Sequence, residues 1–427
     1  MAARRRVVVT GMGLATPLGI DVEENWRKMF AGISGIGRLS LPGTEKSPVR
    51  AVGEVKADDL ERIRREFPGR ADSEGEKRTL FALWAARSAM KDAGLDDYRG
   101  CRERFGVSLA AGLGINSLDD IHRWITADRA FDYSGFAAQC HRVSRESILR
   151  NSSSRAASLV ATECCCRGPN LTVTTACASA TQAIGMAARM VERGEADVML
   201  AGGADSMLNP VGLVFFVLLG SASLHGGDPV EACRPFDRKR SGLVMGEGAG
   251  IVVVEEESHA VGRGARILAE VAGYGSSMDA YRLTAPEPEG RGAEQSMRRA
   301  LEDAELPPDG IDYINAHGTS TKLNDLAETL AIKRLFGDHA RRLSVSSSKS
   351  LIGHLLAASG GPEFIYTVLS VNRDEIHPTV NLVNRDAKCD LDYVPNVGRA
   401  KTVRAALSNS FGFGGQNASI VVKKYRG

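Results

Sequence analysis

The sequence predicts an α/β protein with buried sheets, and three observations carry that expectation. Short β-branched runs alternate with helical periods from one end of the chain to the other. Hydrophobic residues make up 43% and charged residues 25% of the 427 positions, the proportions of a folded chain, not a disordered one. Forty-six glycines against 6% aromatic residues point to backbone packed closely around small side chains. At roughly 150 residues per domain, the length allows two or three units, each large enough for its own core.

The elements follow in order. Residues 6–10 form a β-branched strand ending in Gly11-Met12-Gly13, followed by a helix at 22–31. A second helix at 77–93 carries Leu80, Phe81, Leu83, Trp84 and Met90 on overlapping faces. Strand 171–175 turns into an Ala-rich helix at 178–193, and strands follow at 197–201 and 250–255. The strand 313–315 lies among helices at 293–304, 325–336 and 350–371. Such alternation requires helices on both faces of the sheets.

Charge and targeting signals exclude several classes. The 54 Lys+Arg nearly balance 52 Asp+Glu, leaving +2, without the basic stripe expected of a nucleic-acid binder. The start, Met1-Ala2-Ala3-Arg4-Arg5-Arg6, is basic, but the apolar stretch after it is too short for a signal-peptide core. The longest apolar run, 211–219, is about half a bilayer span. Eight cysteines, three of them consecutive (Cys164, Cys165 and Cys166), follow neither a disulfide framework nor a C-x-x-C pattern. A reducing cytoplasm is the expected setting.

One internal echo suggests two related halves. Leu171-Thr172-Val173-Thr174-Thr175-Ala176-Cys177-Ala178-Ser179-Ala180 parallels Leu343-Ser344-Val345-Ser346-Ser347-Ser348-Lys349-Ser350-Leu351-Ile352. Each reads as a hydroxyl-rich strand turning directly into a small-residue helix. Chance is the other reading, since strand-to-helix turns are common; read as a repeat, the halves divide near residues 255–264, at 1–258 and 259–427, without a low-complexity linker.

Within this frame a few residues can carry chemistry. Cys177 sits at a helix start, where the dipole favours thiolate and small neighbours leave access to sulfur; a buried structural cysteine fits equally well. His317 lies in Asn315-Ala316-His317-Gly318-Thr319-Ser320-Thr321, and His354 lies five residues after Lys349 in Lys349-Ser350-Leu351-Ile352-Gly353-His354. Each histidine taken singly reads either as catalytic or as a satisfied structural residue. The absence of H-E-x-x-H and H-x-H patterns argues against metal catalysis. Gly11-Met12-Gly13 lacks the third glycine of a dinucleotide fingerprint. Asn409-Ser410-Phe411-Gly412-Phe413-Gly414-Gly415 reads as a hairpin turn, or as a mobile gate offering N–H donors.

Taken together and in this order, these motifs resemble the β-ketoacyl-acyl-carrier-protein synthases, condensing enzymes with a Cys-His-His triad. The resemblance spans the chain, from Arg5-Arg6-Val7-Val8-Val9-Thr10-Gly11 to Phe411-Gly412-Phe413-Gly414-Gly415-Gln416-Asn417, with Gly202-Gly203-Ala204-Asp205 and Arg234-Pro235-Phe236-Asp237 adding family character. It implies a thiolase fold, two similar halves forming a five-layer αβαβα sandwich. It further implies that Cys177 accepts an acyl group as thioester and that malonyl-acyl carrier protein is decarboxylated to the attacking enolate. His317 and His354 then stabilise the enolate, while Lys349 paired with Glu328 sets their electrostatics. Backbone N–H groups of Cys177 and Phe411 form the oxyanion hole, with Phe411 and Phe413 as gate. Thr319 and Thr321 bind pantetheine, and Leu113, Val214 and Phe215 line the acyl tunnel.

The resemblance implies no bound cofactor and no metal, since substrates arrive on the 4'-phosphopantetheine of acyl carrier protein. It implies a dimer, homo- or heteromeric, with a related ketosynthase-like chain. Acidic carrier protein is expected to dock on Arg62, Arg64, Arg65, Lys77 and Arg78. A bulky Phe215 predicts preference for short or rigid acyl chains, in fatty-acid or type II polyketide synthesis. The rival readings are a non-catalytic chain-length partner, which would be expected to have lost the nucleophile, and a thiolase acting on CoA thioesters, which would need a second cysteine near the C-terminus.

Overall fold

Ten strands assemble the centre of the computed structural model, which describes residues 4–70, 76–114, 122–143, 146 and 149–427. In chain order they are β1 (Val7–Ala15), β2 (Phe105–Ala111), β3 (Asn170–Val173), β4 (Val198–Asp205), β5 (Gly248–Glu256), β6 (Ala269–Met278), β7 (Tyr313–Asn315), β8 (Ser344–Ser346), β9 (Ala405–Gly412) and β10 (Gln416–Lys423). Hydrogen bonding orders them β8-β7-β9-β10-β6-β1-β5-β4-β2-β3. Read outward from the β1–β6 junction, the first five strands run 1-5-4-2-3 and the last five repeat that order. Directions repeat as well: the first strand of each five is antiparallel to its neighbour, and the outer three are mutually parallel. The two sets touch through the short Val8–Glu270 and Val9–Ala269 pairing.

The helices complete five layers. The principal ones are α1 (Val22–Phe30), α2 (Ala57–Glu66), α3 (Lys77–Asp92), α4 (Arg155–Glu163), α5 (Ser179–Glu192), α6 (Pro210–Leu218), α7 (Arg291–Asp303), α8 (Lys322–Phe336), α9 (Lys349–Ile352) and α10 (Gly360–Arg373). Helices α3 and α4 cover the outer face of the first sheet, and α7 and α8 that of the second. Between the sheets lie α5 and α10, whose Ile184, Ala187, Phe364 and Val368 share one core with Val9, Leu14, Val252 and Ile420. Burial on both faces explains why β1 and β4 are apolar or small at almost every position.

The structure corrects the element boundaries at informative places. The first strand does not end at its glycines but runs through them to Ala15. A Cβ on Gly11 would stand 2.3 Å from the Ala89 carbonyl oxygen, and one on Gly13 2.1 Å from that of Ala85, so the glycines let α3 seat directly on the strand. Gly273 and Gly275 of β6 lie equally close to Ala300 and Ser296 of α7. The expected helix 350–371 is interrupted: α9 stops at Gly353 (φ +74°), and His354 pairs with Met245 before α10 begins. The apolar run 211–219 lies almost wholly within α6, and no helix of the described residues is long and apolar enough to cross a membrane. Met1–Ala3 lie outside the described residues.

Candidate active site

The site forms where the chain leaves β3 and enters α5. Ala176 takes a left-handed conformation (φ +49°), which costs an L-residue about 1–2 kcal/mol, and the resulting elbow turns Cys177 inward. Ser179 holds the elbow, accepting from the Thr175 N–H at 2.7 Å and donating to the Ala176 carbonyl at 2.6 Å. Cys177 lies at one wall of a cleft of about 750 Å³ that also includes His317, Thr319, Thr321, His354, Phe411 and Phe413.

Both imidazoles converge on the sulfur. His354 Nε2 is 3.1 Å from Cys177 Sγ, and the His317 ring centroid is 5.3 Å from that of His354. The hydrogen-bond partners fix their tautomers. The Leu356 N–H donates to His354 Nδ1 at 3.0 Å, so the neutral ring carries its proton on Nε2, toward the sulfur. The Lys349 ammonium lies 3.2 Å from His317 Nδ1, which leaves the proton of that ring on Nε2. Burial holds both imidazoles well below the usual histidine range, with the Lys349 charge reinforcing the effect. The site therefore presents two neutral N–H donors to one thiol.

This arrangement resembles a metal centre only in spacing. The ligand atoms of Cys177, His317 and His354 lie within 4.8 Å of one another. Their Nδ1 atoms are engaged by donors, however, and Nε2 atoms that carry protons have no lone pair to offer a cation.

Two expectations about the supporting charges change. Lys349 pairs with Glu363 of α10, not with Glu328; both members of the pair are about 1% exposed. Glu328 instead accepts the backbone N–H of His317 at 2.9 Å and of Gly318 at 2.8 Å, which fixes the turn carrying His317. Burial pushes both the Glu328 and Glu363 carboxyls up to about 7. Glu363 is a residue that motif reading missed. The available signal was a lone acid in the small and apolar stretch 355–371.

The helix start does not make Cys177 a thiolate. Burial pushes its thiol up to about 11, against the opposing pull of the Lys349 charge and the Phe413 N–H. That last contact corrects the donor assignment too. Phe411 lies in the β9–β10 ladder opposite Asn417, with its ring edge-on to His317, and the N–H directed at the sulfur is that of Phe413. The glycine-aromatic segment is a hairpin turn at Phe413–Gly415, with the Phe413 N–H directed at Cys177.

Thr319 and Thr321 share a hydrogen bond of 2.9 Å at the cleft wall, and Thr321 also caps α8. The three acyl-tunnel candidates stand apart. Leu113, Val214 and Phe215 are all exposed and none lines the cleft. On α6 it is Phe216 that turns inward, joining Met207, Leu243 and Leu356, with Phe413 packed against them. Arg78 is wholly buried and Lys77 pairs with the buried Glu247, which removes both from any docking face. Arg62, Arg64 and Arg65 remain exposed, and Arg238, Lys239 and Lys322 add positive charge at the cleft rim.

Comparison with known proteins identifies the family. Residues 4–260 match the family described as "Beta-ketoacyl synthase, N-terminal domain", and residues 268–383 match "Beta-ketoacyl synthase, C-terminal domain". The chain is 40% identical to 3-oxoacyl-[acyl-carrier-protein] synthase 2 of Synechocystis sp. over 424 residues, 99% of each chain. It is also 40% identical over 427 residues, 100% of each chain, to the protein of that name from Staphylococcus aureus. Among solved structures, a type II PKS acyl-carrier protein in complex with its ketosynthase is similar at TM-score 0.88 and 33% identity, covering 99% of this chain and 100% of the other. The ishigamide ketosynthase/chain length factor is similar at TM-score 0.86 and 34% identity, with the same coverage. With residues 4–260 and 268–383 matched and full-length relatives 40% identical, this chain belongs to the β-ketoacyl synthase family and is a condensing enzyme of the acyltransferase type.

Proposed function

We propose that the chain extends acyl groups by decarboxylative condensation with a malonyl unit, both carried on the pantetheine arm of acyl carrier protein. The observation that carries this reading is the pair of neutral imidazole N–H donors converging on one buried thiol. In the first half-reaction, Cys177 sulfur attacks the acyl thioester carbonyl. The N–H groups of Cys177 and Phe413 receive the developing oxyanion, and the pantetheine sulfur leaves with the proton that Cys177 gives up. In the second, the malonyl thioester loses carbon dioxide. Its enolate oxygen is held by Nε2–H of His317 and His354, and its carbon attacks the Cys177 thioester. The β-ketoacyl product departs on the carrier, and the expelled cysteine thiolate takes a proton from water.

Lys349 and Glu363 act through the histidines: the ammonium keeps the His317 proton on Nε2, and the carboxylate balances the ammonium. Glu328 fixes the His317 turn. Thr319, hydrogen-bonded to Thr321 at the cleft wall, is the hydroxyl that meets pantetheine, because Thr321 is also engaged at the α8 cap. The exposed cations Arg238, Lys239 and Lys322 fit an acidic carrier at the rim better than the buried Arg78 does. Phe413 and Phe411 form the gate above the sulfur.

The halves 1–258 and 259–427 act as one catalytic unit, Cys177 coming from the first and the histidines from the second. A second ketosynthase-like chain, identical or related, would cover the exposed face of α6 and the edge strand β3. Eight free cysteines fit a reducing cytoplasm. A retained nucleophile disfavours the chain-length-partner reading, and Phe411-Gly412-Phe413 in place of a C-terminal cysteine disfavours a thiolase. The test is incubation with malonyl-carrier protein and acyl-carrier proteins of varied length. A product two carbons longer and one carbon dioxide per turnover are expected; free acid without carbon dioxide would make the protein a hydrolase.

A further inference from the structure

Asp205 is a buried carboxylate that the mechanism above leaves without a task. It ends β4 and is about 1% exposed. One oxygen accepts the Ser206 N–H at 2.9 Å and the other accepts the Ala357 N–H at 3.0 Å. Ala357 directly follows Leu356, whose own N–H fixes the proton of His354 by donating to Nδ1. Leu356 adopts φ +52°, a left-handed conformation that a leucine holds only when its surroundings enforce it. Two consecutive peptide N–H groups thus point in set directions, one to the imidazole and the next to Asp205.

The other side of Asp205 is equally constrained. Gly112, just past β2, lies so close that a Cβ there would stand 2.4 Å from Oδ2 of Asp205. Beyond Gly112 is Arg78, fully buried, whose guanidinium donates to the carbonyls of Gly112 at 3.4 Å and Leu113 at 2.9 Å. Its positive charge favours the ionised carboxylate, and its Nε has no partner among the described residues. A buried cation and a buried anion separated by one glycine balance each other without touching.

We propose that Asp205, with Arg78 as its counter-charge, is a positioning residue for His354. It anchors the Leu356–Ala357 peptide so that His354 keeps its Nε2 proton aimed at the reacting atoms. The role rests on the function proposed for His354 and extends it to a residue that never meets substrate. It also ties the Gly112–Leu113 turn mechanically to the histidine loop.

The experiment measures two half-reactions separately in the full-length protein: acylation of Cys177 by an acyl-pantetheine thioester, by intact mass, and carbon dioxide release from malonyl-pantetheine. Misplacing a reacting group by ~1 Å costs ~100-fold, so Asp205→Asn, which loses one acceptor, is expected to lower kcat for decarboxylation by about tenfold or more. Its KM for the malonyl thioester stays within about twofold, because no substrate contact is lost. Acylation of Cys177 persists, since removing a negative charge near the sulfur does not hinder it. In a His354→Ala background, Asp205→Asn should cost nothing further.

Equal loss of both half-reactions, or the same fold-loss with and without His354, would overturn the proposal and leave Asp205 a purely structural residue. A His354→Ala enzyme that still decarboxylates at the parental rate would instead refute the function proposed for the histidine. If Asp205→Asn does not fold, Gly112→Ala presses on the same carboxylate from the other side and Arg78→Met removes its counter-charge. Each is then expected to show the same selective loss of decarboxylation, and parental decarboxylation in both folded variants would overturn the proposal.

Discussion

Glu363→Ala would strand a charge in the core. Lys349 has two partners among the described residues, the Glu363 carboxylate and His317 Nδ1, and ammonium and carboxylate are each about 1% exposed. Removing one member of a buried pair costs about 3–5 kcal/mol, because the remaining ion keeps its desolvation penalty without its counter-ion. With an m-value of ~3 kcal/mol/M, the urea midpoint should fall by about 1–1.7 M at unchanged slope. Circular dichroism against urea measures it. If Lys349 instead sheds its proton, the ammonium no longer dictates the His317 tautomer, so carbon dioxide release falls even where the protein stays folded. The double variant Lys349→Met with Glu363→Leu separates the two effects. Apolar replacement of a buried pair is often neutral, so its midpoint should return to within about 1 kcal/mol of the parent while decarboxylation stays lost. A Glu363→Ala protein as stable and as active as the parent would refute the assignment of this pair.

Three further outcomes follow from the same geometry. With the Cys177 thiol raised to about 11, its alkylation by iodoacetamide should climb with pH, ~tenfold per unit from pH 7 to 10; a plateau near pH 7 would mean a thiolate set by the helix start. Phe215→Gly should cost about 1 kcal/mol of helix stability and leave product lengths unchanged, whereas Phe216→Ala should destabilise by about 3–5 kcal/mol; mass spectrometry of products and thermal melts check both. Charge reversal at Arg238 and Lys239 should raise KM for carrier-bound substrates and weaken its salt dependence, with little effect on a small pantetheine thioester.

The motifs carried most of the site, and the reason is physical. Cys177, His317 and His354 each stand in a stretch of small residues and turns, and although each alone also reads as structural, their order along the chain makes the set visible. The partner of Lys349 was not visible, because Glu363 and Glu328 both lie on helices near it and only the fold decides which carboxylate meets the ammonium and which meets the backbone. The donor directed at the sulfur lies two residues beyond the expected one for a similar reason: Phe411 pairs within the β9–β10 ladder, whereas Phe413 stands in the turn past it. Bulk alone does not say which of Phe215 and Phe216 turns toward the core: successive helix residues point about 100° apart, and only the packing of α6 leaves Phe216 buried and Phe215 exposed.

The same holds for the fold. The strand-to-helix echo at Cys177 and Lys349 is one corner of a topology that repeats strand for strand. A second sign of it lay in the paired glycines of β1 and β6, which alternation and β-branching could not reveal. Strands β2 and β6 are rich in Ala, Gly and Ser, so their residues read as turn or helix. Arg78 misled in the opposite direction: a basic residue at a helix start suggests a solvent face, yet the carbonyls of Gly112 and Leu113 draw it into the core.

The central claim is that Cys177 holds the acyl chain while two imidazoles receive the enolate. Intact-mass and peptide analysis during turnover with acyl- and malonyl-carrier proteins tests it most directly. The account predicts one acyl mass on Cys177, absent from Cys177→Ala, followed by a β-ketoacyl product and one carbon dioxide for each acyl group consumed. An acyl mass on Cys164–Cys166 instead, or product formed by the Cys177→Ala protein, would contradict it.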